Sequence, residues 1–185
     1  MDLATLPLRT MSRSSDGSDR PATTRSSLAG AVGGGIGAIV FGLVLWMGSP
    51  EVLSESIPAF YGIDSSDLIG WLFHIAHGFV LGGIFGFVVA RPSVYGMVTA
   101  TVETDILQRL SVEARFGLVG VVYGIAIWVV LPFIGLSLLG TVVDAGDVGM
   151  TGVATEMILG HVLFGVIVGI AFAALTPVKI ATSVR

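Results

Sequence analysis

Four long apolar blocks alternate with shorter polar segments along the chain. The blocks cover residues 28–48, 68–90, 117–140 and 154–175. Each block is long enough to cross a bilayer once, which takes about 20 residues of helix. The pattern therefore predicts an all-α integral membrane protein with four transmembrane helices. Pro132 lies inside the third block and predicts a kink, whereas Pro177 ends the fourth block because proline cannot continue a helix.

The segments outside these blocks are polar or broken. Residues 1–27 have no apolar period and predict a disordered tail, with the first apolar block too late for a secretory signal. Residues 91–116 form a connection, within which 97–110 predicts a short surface helix, and residues 176–185 form a second tail. The stretch IPAFYGI, Ile57–Ile63, is interrupted by Pro58 and Gly62. We interpret it as an interfacial turn packed on the outer surface.

Charged residues divide between the two ends of the predicted bundle. The two tails and the 91–116 connection hold every basic residue: Arg9, Arg13, Arg20, Arg25, Arg91, Arg109, Arg115, Lys179 and Arg185. The charged residues of the other two connections are all acidic: Glu51, Glu55, Asp64, Asp67, Asp144, Asp147 and Glu156. The positive-inside rule then predicts that both termini are cytoplasmic in a plasma membrane, with Trp46 and Trp71 near the outer boundary. The acids form either a solvated face or a cation-attracting vestibule.

Composition excludes several kinds of chemistry. The chain has no cysteine, which excludes disulfides, thiolate metal sites and cysteine nucleophiles. No basic patch with interleaved aromatic residues suggests nucleic-acid binding, and neither a phosphate-binding loop nor a nucleophile elbow occurs. A net charge of −4 with a single lysine is typical of salt-loving archaea. These features favour a protein that is not an enzyme.

The two halves of the chain share a pattern at a period of 87 residues. This shift places Gly33 on Gly120 and His74 on His161, and both halves read L-x-H-x-x-x-G-x-x-x-G in their second helix. Because each half contains two helices, the second copy keeps the orientation of the first. The pattern predicts two tandem helical hairpins, 28–90 and 117–175, related by an axis along the membrane normal.

Glycines spaced by four lie on one face of each predicted helix. Such small-residue stripes let membrane helices approach closely, and exposed stripes would also provide a homo-oligomer interface. The alternative is that the glycines clear room for a flat cofactor. The predicted helix-packing positions are Gly33, Gly37, Gly78, Gly82, Gly120, Gly124, Gly165 and Gly169.

Two histidines at equal predicted depth are the candidate cofactor-binding residues. His74 and His161 could bind a haem b axially, share one metal ion with His77 and Glu156, or relay protons. The simpler interpretation is a pair of neutral imidazoles that hydrogen-bond between helices, with no cofactor. His77 is matched by Phe164 in the second half and is interpreted as peripheral. Tyr123 predicts a packed residue whose hydroxyl finds a partner.

The stretches IPAFYGI, GWLFHIAHGFVLGGIFG, GVVYGIAIWVVLPFIG and LGHVLFGVIVG together resemble a family of small haloarchaeal multi-pass membrane proteins of unestablished function. The similarity covers residues 28–175. Some relatives carry a histidine-kinase assignment, but this chain has no ATP-binding domain. The resemblance implies an archaeal plasma-membrane protein with histidine-bearing helices and no known activity.

These observations favour a non-catalytic membrane protein, either a structural or sensory subunit or a small-solute channel, acting in the bilayer as a homo-oligomer or in a small membrane complex. The alternative is a haem- or metal-binding redox or proton-transfer subunit that uses His74 and His161.

Overall fold

A computed structural model of the chain describes residues 23–99, 109–142 and 155–178. These residues form helices and connecting turns, without strands, which confirms the all-α prediction. The elements are α1 Thr23–Gly48, a π-helix Val52–Ser56, α2 Ile57–Phe60, α3 Asp67–Val89, α4 Pro92–Thr99, α5 Val112–Val142 and α6 Thr155–Leu175. Four of them, α1, α3, α5 and α6, are long and apolar enough to cross a membrane. The chain is a multi-pass membrane protein.

Two membrane helices begin earlier than the sequence pattern predicts. Helix α1 starts at Thr23 and α5 at Val112, rather than at 28 and 117. Residues 23–27, which were predicted as the end of the tail, are therefore helical. Residues 1–22 lie outside the described residues. Polar residues can continue a helix once the apolar part has nucleated it. At α5 the Ser111 hydroxyl accepts a hydrogen bond from the Ala114 N–H at 3.2 Å, which caps the first turn.

The connections also differ from expectation. The surface helix predicted at 97–110 is instead α4 at 92–99, residues 109–111 are not helical, and 100–108 lie outside the described residues. The IPAFYGI stretch forms α2 and then a turn at Gly62, whose φ of +67° suits glycine. Helix α5 continues through Pro132, so this proline does not end it.

Helix α1 lies at the centre of the packing. One face of α1 packs on α3, another packs on α6, and α5 packs on α6. Helices α3 and α5 are joined by the Tyr123 hydroxyl, which donates to the Leu81 carbonyl oxygen at 2.6 Å. Tyr123 is thus packed and partnered, as predicted. We call the end of the bundle with Gly48 and Asp67 the acidic end, and the end with Val89 and Val112 the basic end.

Aromatic rings fill the basic half of the core. Phe172 on α6 lies 5.8 Å from Phe85 and 5.2 Å from Phe116, measured between ring centres. Tyr95 of α4 lies 6.4 Å from Phe116 and closes this end of the bundle. On the outside the helices expose large apolar side chains, of which Met47 at 86%, Leu68 at 77% and Val122 at 68% are among the most exposed. A water-soluble monomer rarely exposes such a continuous apolar surface, whereas a bilayer requires it.

Candidate functional site: glycine seams and a histidine–phenylalanine cluster

Backbone meets backbone where α1 packs on α3. A Cβ added at Gly34 would overlap the Gly78 carbonyl oxygen and lie 2.8 Å from the Gly82 Cα. A Cβ added at Gly30 would overlap the Gly82 oxygen and lie 2.8 Å from the Gly86 nitrogen. These separations are shorter than the roughly 3.5–4.0 Å at which carbon atoms attract best. Glycine is therefore required on both sides of this seam.

The seam between α5 and α6 is built in the same way. A Cβ at Gly120 would overlap the Gly165 carbonyl oxygen, and a Cβ at Gly124 would overlap that of His161. In return, a Cβ at Gly165 would lie 3.0 Å from the Gly124 nitrogen. The backbone of His161 is thus in direct contact with α5.

The seam between α1 and α6 differs because glycine meets side chains. A Cβ at Gly33 would lie 2.9 Å from the Ala171 Cβ, and one at Gly37 would lie 2.9 Å from the Phe164 ring. All eight glycines proposed as packing positions lie against another helix of the same chain. Their faces are filled within the chain, and the homo-oligomer stays a prediction.

His74 spans the α1–α3 seam at its acidic half. Its Nε2 lies 3.0 Å from the carbonyl oxygen of Ala38 on α1. A carbonyl oxygen can only accept, so Nε2 carries the proton and Nδ1 is an unprotonated acceptor. Gly42 makes room for this ring, since a Cβ there would lie 3.2 Å from the His74 Cδ2. The side chain is 9% exposed.

His161 is fixed in the opposite tautomer. Its Nδ1 lies 2.7 Å from the carbonyl oxygen of Met157, one turn earlier in α6, so Nδ1 donates and Nε2 is the unprotonated acceptor. This side chain is also 9% exposed. His74 lies seven residues from the start of α3 and His161 six from the start of α6, so each is about 10 Å along its helix at about 1.5 Å per residue.

The Phe41 ring of α1 separates the two imidazoles. Its centre lies 5.4 Å from that of His74 and 4.8 Å from that of His161, with an edge-to-face geometry in both pairs. The sequence did not single out Phe41, although it continues the spacing by four of Gly33 and Gly37. A haem bound axially by both histidines would have to displace the Phe41 ring from its contacts with them, and haem binding stays a prediction.

The described residues also contain no group of three or more His, Asp or Glu side chains placed to hold one metal ion. His77 does not contact Phe41 and hydrogen-bonds instead to the hydroxyl of Tyr61 in the turn after α2. The Tyr61 ring also packs at 4.3 Å on Phe73. This exposed contact attaches the 50–66 connection to α3. His77, which was interpreted as peripheral, thus joins the connection to the helix.

Tryptophans line the acidic side of the cluster. Trp71 lies 6.4 Å from His74 and 6.4 Å from Trp46, between ring centres. The Trp71 indole packs directly on the backbone of α1 at Gly42, because a Cβ there would overlap the indole. The aromatic rings of α1 and α3 thus cover His74 from the acidic end.

Comparison with protein families, with curated proteins and with solved structures finds no match to this chain. The function proposed below is therefore argued from the geometry of this chain. We call Phe41, His74 and His161 the histidine–phenylalanine cluster.

Proposed function

We propose that this chain is a non-catalytic plasma-membrane protein of haloarchaeal type that serves as a structural or sensory subunit, with both termini cytoplasmic. The observation that supports this most directly is the histidine–phenylalanine cluster. Each imidazole already donates to a backbone carbonyl, and Phe41 fills the space between them. The His74 bond joins α3 to α1, whereas the His161 bond lies within α6, contrary to the expected pair of bonds between helices, and His161 contacts α1 through the Phe41 ring. Both histidines thus have a packing role.

An absorption spectrum and a flux assay test the non-catalytic role. The protein is purified in mild detergent from a haem-competent, salt-adapted host, and its oxidised and reduced spectra are compared. We expect no Soret band and no flux of small solutes or protons after reconstitution in liposomes. A Soret band lost in both His74→Ala and His161→Ala would replace this proposal with a redox subunit, and solute flux would replace it with a channel.

The absence of native cysteine makes the orientation easy to test. Ser65 near the acidic end and Ser93 near the basic end are both exposed. A membrane-impermeant maleimide added to intact cells should label Ser65→Cys, and should label Ser93→Cys only after permeabilisation. The unmodified chain is the matched blank. Labelling of Ser93→Cys in intact cells would reverse the orientation.

We also propose that the two hairpins are tandem copies of one unit. Support comes from Gly78 and Gly165, which the 87-residue shift superposes and which each lie on a glycine of a neighbouring helix, Gly34 and Gly120, although the shift places Gly34 on Val121, one residue from Gly120. Related seams should respond alike, so Gly78→Ala and Gly165→Ala should lower the stability of the bundle by similar amounts. A large difference between them would count against the repeat.

A further inference from the structure

We propose that the histidine–phenylalanine cluster is a pH-responsive lock, which holds α1 against α3 and α6 while its imidazoles are neutral and loosens when they take up protons. This property goes beyond the structural or sensory role proposed above and does not depend on the identity of any partner.

The hydrogen bonds are compatible with neutral imidazoles, because each ring makes one bond and a neutral ring has one N–H. His74 and His161 each use their single N–H on a backbone carbonyl. The second nitrogen of each ring, Nδ1 of His74 and Nε2 of His161, has no hydrogen-bond partner within residues 23–99, 109–142 and 155–178. A second proton would add a donor and a positive charge where the described residues offer no acceptor, and such a buried charge is costly.

The groups around the cluster that belong to the described residues do not offset that charge. On α3 the titratable neighbour is His77, on α6 it is His161, and both become positive when they bind a proton. Helix α1 contributes Ala38, Phe41 and Gly42, none of which titrates, and α5 meets His161 at Gly124. Glu156 lies on α6 with a side chain outside the described part, so it is included among the controls below. Protonation of one histidine therefore opposes protonation of the other.

Tight packing connects proton uptake to helix movement. The His74 ring is confined between Gly42, the Ala38 carbonyl and Phe41, while the His161 backbone lies directly on Gly124. Both rings are only 9% exposed, so we expect that full hydration of a protonated ring requires α1 to separate from its neighbour. The opened state then binds more protons than the closed state, so acid shifts the equilibrium towards opening.

The test measures the folding equilibrium of the full chain in detergent micelles between pH 8 and pH 5.5, a range that brackets the imidazole value of about 6.5. The folded-to-unfolded ratio should decrease by up to tenfold per pH unit for each histidine that remains neutral in the closed bundle. A ratio that does not change with pH in the unmodified chain would overturn the proposal.

Matched variants assign the effect. Gln can place its amide donor at the position of Nε2 and Asn at that of Nδ1, so His74→Gln with His161→Asn retains the donors without titrating. This pair should remove most of the pH dependence, whereas Glu156→Gln should leave it in place and His77→Phe should remove only a smaller part of it. Full pH dependence in the double variant would assign the effect elsewhere and refute the lock.

A second measurement covers the case in which the double variant does not fold. Nitrogen NMR of the unmodified chain with ¹⁵N-labelled histidine reports the protonation of each ring nitrogen. We expect two neutral rings of opposite tautomer in the folded protein at pH 7, with a proton on Nε2 of one and on Nδ1 of the other. An imidazolium at either position at that pH would refute the proposal.

Discussion

The sharpest prediction concerns a single methyl group in the α1–α3 seam. Gly34→Ala would place a Cβ onto the Gly78 carbonyl oxygen and 2.8 Å from the Gly82 Cα. Carbon atoms attract best at roughly 3.5–4.0 Å, so the two backbones must separate locally by about 1 Å. A gap of that size forfeits roughly a quarter to a half of the attraction between the atoms facing it. Both neighbouring atoms belong to backbone, so no side-chain rotation can relieve the overlap.

This overlap corresponds to a measurable loss of stability. Overpacking costs about 1–3 kcal/mol in well-packed interiors. Alanine is the better helix former by roughly 0.5–1 kcal/mol, but a membrane helix remains helical when it separates from its neighbours, which removes most of that compensation. We therefore expect a net loss of about 2 kcal/mol, or roughly a 30-fold decrease of the folding equilibrium constant.

The assay is reversible unfolding in mixed micelles, followed by tryptophan fluorescence. Gly96→Ala is the matched control, because it makes the same chemical change in a helix where no heavy atom lies within 4 Å. Gly117→Ala is a graded intermediate, since its nearest neighbour is the flexible Ile170 side chain at 3.3 Å. We expect the losses to increase in the order Gly96, Gly117, Gly34. Equal stability of Gly34→Ala and Gly96→Ala would refute the inference that backbone contact holds this seam.

Three further substitutions test single contacts. Tyr123→Phe removes the hydroxyl that donates to Leu81 but retains the ring, and should lower the free energy of unfolding by about 0.6 kcal/mol; a larger loss would mean that the hydroxyl does more than join α3 to α5. Phe41→Ala opens a cavity between the two imidazoles and should cost about 3–5 kcal/mol, measured by the same unfolding assay; a loss below about 1 kcal/mol would show that the ring is not part of the core. Ser66→Ala removes the hydroxyl that accepts from the Ile69 N–H at the start of α3 and should cost roughly 1 kcal/mol, with Ser66→Asp as the variant that restores the cap.

The four membrane helices could be predicted from the sequence because apolar length alone decides whether a segment can cross a bilayer. Their starts were less certain. Thr23–Ser27 are polar in sequence yet helical in α1. A helix can continue past the point at which the sequence changes from apolar to polar, so hydropathy does not locate its start. Spacing by four placed the glycines on common faces, but it could not show which helix each face meets. Gly33 and Gly34 are adjacent in sequence and contact different helices, α6 and α3.

The histidines could be found from the sequence, but their surroundings could not. Equal depth for His74 and His161 follows from counting residues along two helices. The ring between them belongs to a third helix, and the 87-residue shift compares helices without showing which of them are neighbours. Phe41 could therefore be recognised only from the packing. The contact between Tyr61 and His77 was missed for a related reason. Tyr61 lies in a connection and contacts the interior of a helix that begins six residues later, and the sequence does not show how the connection folds onto that helix.

The central position of α1 has a consequence for biosynthesis. Its Gly33 and Gly37 face is covered by α6, which is made after α1, α3 and α5, and Phe41 also contacts α6. About 120 residues separate Phe41 from His161, which takes roughly 6–24 seconds to translate at about 5–20 residues per second. During that interval the first helix is in the membrane with one face already paired to α3 and the other exposed to lipid. A nascent chain interrupted before α6 would present that unpaired face to a neighbouring chain, so mispairing during synthesis is the hazard that this order of assembly creates.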